Sequence, residues 1–261
     1  MNAFKLAGTY LRIGMMNELQ YRVNFFIQLL QSAIAVGTGL IGLSLVFGQV
    51  TNLAGWSQSE LLAVMGVHIL MGGVIRSAIQ PNMERLMNDV LNGTLDFALM
   101  KPADAQTLVS IREFRFWQLT DVIVGLVILA IAVLQLQLQM AALQIVAFLA
   151  ALLMGAIMLY CVWLMVTSVA FWVIRINEIV NLFEGLYAAG RWPVGVYPDW
   201  LRTGLTFLVP VAFAVTVPAE AMTNRLTPET MLFAFGLTVL FMFLARVIWS
   251  FGLRSYSGAS A

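Results

Sequence analysis

Charge is what this 261-residue sequence has least of: only 10% of its residues are Asp, Glu, Lys or Arg, against about 25% in a soluble domain. With 61% hydrophobic residues and a mean hydropathy of +0.89, the charges are too few to cover a water-facing surface, and a soluble globule is excluded. The 14 basic and 13 acidic side chains nearly cancel, so the chain has no basic footprint for nucleic acid. A single cysteine, Cys161, makes no intrachain disulfide, and a single histidine, His68, leaves histidine-based metal sites and Cys/His nucleophilic pairs without members. No glycine-rich phosphate loop ending in Lys followed by Ser or Thr occurs, so the chain is not expected to hydrolyse nucleotide by itself. Neither lysine, Lys5 or Lys101, falls in an apolar run, and Asp121 has no intramembrane aspartate partner, which removes serine–lysine and paired-aspartate proteases. Catalytic residues, bound cofactors and metal ligands are therefore all expected to be absent. A signal peptide is not expected either, because Lys5, Arg12, Glu18 and Arg22 interrupt the N-terminal segment.

What is present is length without charge. Residues 23–59 and 122–174 are uncharged, and each run holds one or two spans of about 20 residues, whereas a transmembrane barrel needs alternating segments of about ten. The pattern predicts an all-α integral membrane protein in one transmembrane domain, 1–261. Residues 1–22 form an interfacial helix in this reading: Lys5, Thr9 and Arg12 make one stripe, and Leu6, Tyr10, Leu11, Ile13 and Met15 fill the remaining arc. Spans are expected at 23–47, 59–80, 117–135, 142–172 and 230–252, with Pro81 ending the second. With the N-terminus inside, nearly all Lys and Arg residues fall on the cytoplasmic side; Arg202 and Arg225 are the candidates for the outside, and Arg191 is ambiguous. That asymmetry requires an even number of spans, best counted as six, with both termini cytoplasmic. The fifth can be drawn at 201–218, which hydropathy prefers. It can also be drawn at 176–197, with Glu178, Glu184 and Arg191 facing protein or water and the following residues re-entering from the outer side.

Three polar features stand out. His68 lies mid-span, where a hydrogen bond to a neighbouring helix is the plainer use and a substrate or proton site the sharper one. Arg76 and Asp121 can pair, either to orient two helices or to lock a gate. Between Pro81 and Gly93, the residues Met83, Leu86, Met87, Val90 and Leu91 recur at helical spacing, Pro81 suits a start and Gly93 a stop. This stripe is read as one face of a short cytoplasmic helix, lying on the inner leaflet or docking in a partner's groove.

The segment that follows, Gly93-Thr94-Leu95-Asp96-Phe97-Ala98-Leu99-Met100-Lys101-Pro102, resembles the glycine–leucine–aspartate–phenylalanine–proline signature of type-2 ATP-binding-cassette permeases. Val196-Tyr197-Pro198-Asp199-Trp200-Leu201-Arg202, Phe207 to Phe213 and Val217-Pro218-Ala219 resemble the same family's late proline-spaced block. The resemblance implies a bacterial inner-membrane exporter half that pairs with a second permease, the same or homologous, and with a separate ABC ATPase subunit that binds ATP and magnesium. It makes 81–116 the coupling region, with Met83, Leu86, Met87, Val90, Leu91, Gly93 and Asp96 seated on the ATPase. It makes 199–226 an outer re-entrant helical hairpin and 176–197 the fifth span, so that His68, Glu178, Glu184 and Arg191 face the conduit or the dimer interface. The implied mechanism is alternating access driven by the partner. A non-transporting membrane scaffold is the rival reading; a secondary transporter would show acidic coupling sites and repeats that are not evident.

Overall fold

The computed structural model describes residues 22–137, 141–172 and 177–256, together with 8–10, 12 and 16. The protein is 82% helical; among the described residues there is no strand, and the sole β pairing is a bridge between Leu53 and Trp56. Among the described residues five helices are long and apolar enough to cross a membrane, or six if a bent pair counts as one span. The expected all-α membrane fold is therefore what forms. Most of the interfacial helix expected at 1–22, and Ser257 onward, lie outside the described residues.

Helix α1 (Arg22–Phe47) is followed by a loop and α2 (Gln58–Val74). Ser57 starts α2 as an N-cap, its hydroxyl accepting the Glu60 amide while the Glu60 carboxylate accepts the Ser57 amide at 2.8 Å. Pro81 does not end this span. The helix widens into a π segment at Ile75–Ile79 and continues as α3 (Gln80–Leu91), making 34 residues from Gln58 to Leu91. Pro81 has no amide to give the Ser77 carbonyl, and the Arg115 amide takes that carbonyl instead, at 2.9 Å. Asn82 completes the splice: its amide nitrogen donates to the Ala78 and Glu113 carbonyls, both at 2.7 Å, and its oxygen accepts the Glu113 amide. At about 1.5 Å per residue the combined helix outreaches a hydrocarbon core of about 30 Å, so α3 projects beyond it.

After the one-turn α4 (Asp96–Leu99) and α5 (Ala105–Ser110), the chain returns through α6 (Leu119–Gln135) and α7 (Ala142–Ser168). Helices α2 and α6 pack backbone to backbone through glycine. A methyl group on Gly125 would stand 2.5 Å from the Leu70 nitrogen, and one on Gly73 would stand 2.8 Å from the Val122 nitrogen. Small residues at such a crossing let membrane helices gain dispersion contacts where no hydrophobic drive acts between them.

Helix α8 (Asn177–Ala188) and a 3-10 turn at Ala189–Arg191 end the helical run at Arg191, short of the expected Tyr197, because the chain turns extended at Trp192 before Pro193. Next come α9 (Asp199–Thr203) with a π segment to Leu208, and a second π segment at Ala212–Thr216 leading into α10 (Val217–Met222). The two halves meet at 78°, with Pro210 in the break. Residues 209–219 are buried, which is the setting in which irregular backbone survives at membrane depth. Helix α11 (Pro228–Ser255) closes the bundle.

Contacts sort the ends. Ser59 meets Gln135, Gln144 meets Asn224, and Arg225 grips Glu60 and the Gly55 carbonyl at one end. At the other, Tyr10 meets Lys101, Arg246 meets Asp104, and Gly252 packs on Phe171. Tyr10 and the close of α11 thus share one end, as an even number of crossings requires. Helix α8 climbs beside α2 from Gln80, which bonds Glu184, to the level of Leu61 and Met65, which share a small cavity with Arg191 and Trp192.

Candidate functional site

Two cavities of about 310 and 240 Å³ flank α2, and His68, Arg76, Tyr187 and Arg191 line both. The His68 ring stacks on Tyr187 with centroids 4.6 Å apart, and the Tyr187 hydroxyl donates to the His68 carbonyl at 2.6 Å. Gly190 makes the approach of α8 possible, since a methyl group there would stand 2.3 Å from Val211 and 3.5 Å from His68 Nδ1. That nitrogen is buried without a hydrogen-bond partner among the described residues.

Asp121 anchors the floor of the larger cavity. Buried to 4% exposure, it accepts Arg76 Nη2 at 2.5 Å, Gln28 Nε2 at 3.1 Å and the Ser32 hydroxyl. Three spans, α1, α2 and α6, are thereby tied by one carboxylate, and the Arg76–Asp121 pair orients helices. Glu184 accepts Gln80 Nε2 at 3.0 Å, and Gln80 also donates to Glu84. Of the four residues assigned to the conduit from sequence, His68, Glu184 and Arg191 come together around α2. Glu178 lies on α8 with its side chain outside the described residues. Sequence reasoning missed Tyr187, Gln28, Gln31 and Ser32, although three polar residues at helical spacing in an uncharged span are a usable signal.

At the charged end, the amphipathic stripe is not a free face. Met83 and Leu86 are fully buried and Met87 is 4% exposed. The Thr167 hydroxyl of α7 bonds Met83 Sδ at 3.5 Å, and Met87 and Val90 pack with Ala170. Met83, Leu86 and Met87, expected to seat an ATPase, are covered within the chain, Met83 by α7 and Met87 by the turn that follows it. Val90 is half-buried and Leu91 is exposed. Gly93, at φ +67°, turns the chain out of α3, a conformation that costs glycine little.

The segment beyond Gly93 is pinned below and bare above. Arg112 pairs with Asp89 at 2.7 Å, and Asp89 also bonds Thr94. Leu95 is fully buried, Asp96 half-buried, while Phe97 and Met100 are 67% and 73% exposed. Asp104 caps α5 and holds Arg246 of α11 at 3.0 Å; burial raises its carboxyl, but the Thr107 amide and Arg246 outweigh this and leave it below its usual 3.8. Ser110 and Gln106 bond the Tyr160 hydroxyl of α7 at 2.7 and 3.4 Å. Residues 93–110 are thus tied to α3, α7 and α11 at once. Among the described residues, no cluster of His, Cys, Asp and Glu could hold a metal.

No curated protein and no solved structure matches the chain. A family model described as an ABC-2 family transporter protein matches residues 33–260, and with that match running from α1 through α11 the chain belongs to the ABC-2 family of membrane transport subunits, the permeases of ABC transporters.

Proposed function

We propose that the chain is the permease half of an ATP-driven exporter in a bacterial inner membrane, working as a dimer of permeases on a pair of separate ABC ATPase subunits. ATP and magnesium are bound by those partners. The observation that carries the reading is the coupling segment. Leu91, Phe97 and Met100 leave apolar side chains exposed at the one end of the molecule that is rich in charge, on a segment tied by Asp89–Arg112 and Asp104–Arg246 to the helices below it. An apolar patch beyond the bilayer, rimmed by polar residues, is the mark of a docking site. ATPase closure displaces residues 93–110, and the displacement enters α3, α7 and α11 as a rigid-body rocking of each half. In this arrangement the charged end and both termini are cytoplasmic, α8 is the fifth crossing, and 199–226 forms a hairpin re-entering from the outside.

Phe97→Asp in the full chain tests it. The side chain is exposed, so the variant is expected to fold and insert normally, while co-purification of the ATPase subunit falls by about tenfold or more, the equivalent of about 1.4 kcal/mol. Undiminished ATPase recovery with Phe97→Asp and with Met100→Asp would remove the docking site.

A further inference from the structure

The larger cavity has a charge that nothing among the described residues answers. Asp121 is saturated by Arg76, Gln28 and Ser32, and Glu184 spends an oxygen on Gln80. Arg191, at the top of both cavities, forms no hydrogen bond or ion pair among the described residues. Arg191 is exposed where it lines these open cavities, and an arginine at membrane depth without a carboxylate partner is met by water, a ligand or another charge, so that it marks a candidate binding site. With the carboxylates Asp121 and Glu184 already engaged, the remaining polar lining can donate: Gln31 on α1 and His68 share the space, and Arg76 keeps further N–H groups beyond the Nη2 bond to Asp121.

We infer that Arg191, Arg76 and Gln31 form a site for a single oxyanion group, phosphate or carboxylate, carried by a membrane-embedded amphiphile. Size and flank select the amphiphile. At about 310 Å³ the space is at the small end of ligand pockets and admits a headgroup rather than an acyl chain. The adjoining face of α1 exposes Ile27, Leu30 and Ile34, an apolar track along which a tail can lie while the headgroup reaches Arg191. The bidentate fork of arginine fits such a group better than a point cation. The assignment rests on the permease reading only in making this ligand a cargo, because binding itself needs no ATPase docking.

The test uses the complex as purified in detergent, titrated with short-chain phosphatidylglycerol, short-chain phosphatidylcholine and inorganic phosphate, with bound equivalents counted by native mass spectrometry. Phosphatidylglycerol is expected to bind and phosphatidylcholine not. Arg191→Gln, which breaks no hydrogen bond or ion pair among the described residues, should weaken phosphatidylglycerol at least tenfold, as loss of a charge-assisted hydrogen bond does. Arg191→Lys should restore part of the binding, and Arg202→Gln, an exposed arginine lining neither cavity, should change nothing. Inorganic phosphate competing with the lipid, with the same loss in Arg191→Gln, supports the oxyanion site and identifies a free anion as a second occupant. Equal binding of the two lipids, or wild-type binding by Arg191→Gln, overturns the site. So does a variant that binds lipid normally but loses its second permease, since Arg191 would then answer a carboxylate across the dimer. Failure of ATPase docking with lipid binding intact would sink the exporter reading and leave this one standing.

Discussion

Removing the Asp121 carboxylate should loosen the three spans it ties. Asp121→Ala strips the acceptor from Arg76 Nη2 at 2.5 Å, from Gln28 Nε2 at 3.1 Å and from the Ser32 hydroxyl. Breaking a fully buried pair costs about 3–5 kcal/mol, but the Arg76 side chain is 39% exposed to the cavity against 5% for Asp121. Water there screens the orphaned cation, so the ionic part falls to roughly 1.5–2 kcal/mol. Interhelical hydrogen bonds in membranes average about 0.6 kcal/mol, and Gln28 and Ser32 add that much each, for a total near 3 kcal/mol. Unfolding of the purified permease in mixed micelles with increasing SDS measures it. Asp121→Asn, which keeps one neutral acceptor, should lose about half as much. A double-mutant cycle with Arg76→Gln isolates the pair, and a coupling energy below about 0.3 kcal/mol would refute the view that this carboxylate holds α1, α2 and α6 together.

The buried stripe predicts the opposite of a docking phenotype: Leu86→Asp, at a fully buried position in the main core, puts an unpaired charge into packed interior and should cost at least about 3 kcal/mol by the order of such burials, seen as lost yield and heat stability of the permease itself. A well-folded Leu86→Asp that merely fails to recover the ATPase would restore the docking reading of that face. With Cys161 replaced, single cysteines at Asp199 and Thr227 should both react with an impermeant label from outside intact cells. Reaction of Asp199 from the cytoplasm alone would make residues 199–222 a crossing and α8 a partial one.

Composition and periodicity determined the class of this protein and most of its spans. An apolar run of about 20 residues has few ways to satisfy its backbone in lipid other than a helix, so α1, α6, α7 and α11 were legible from charge gaps alone. The signature at 93–102 likewise carried the family, since it depends on local residue order. Tertiary structure alone decided where Pro81 leaves the helix, because the rescue of the Ser77 carbonyl comes from Arg115, 38 positions on. It also decided the fate of the stripe: spacing says that Met83, Leu86 and Met87 share a face, but not whether a partner or the chain's own α7 covers it. The meeting of His68 and Tyr187, 119 residues apart, had no trace in either local pattern. Polar residues that converge from distant spans are placed by helix packing, and packing is set by the depth and rotation of whole helices rather than by the residues beside them.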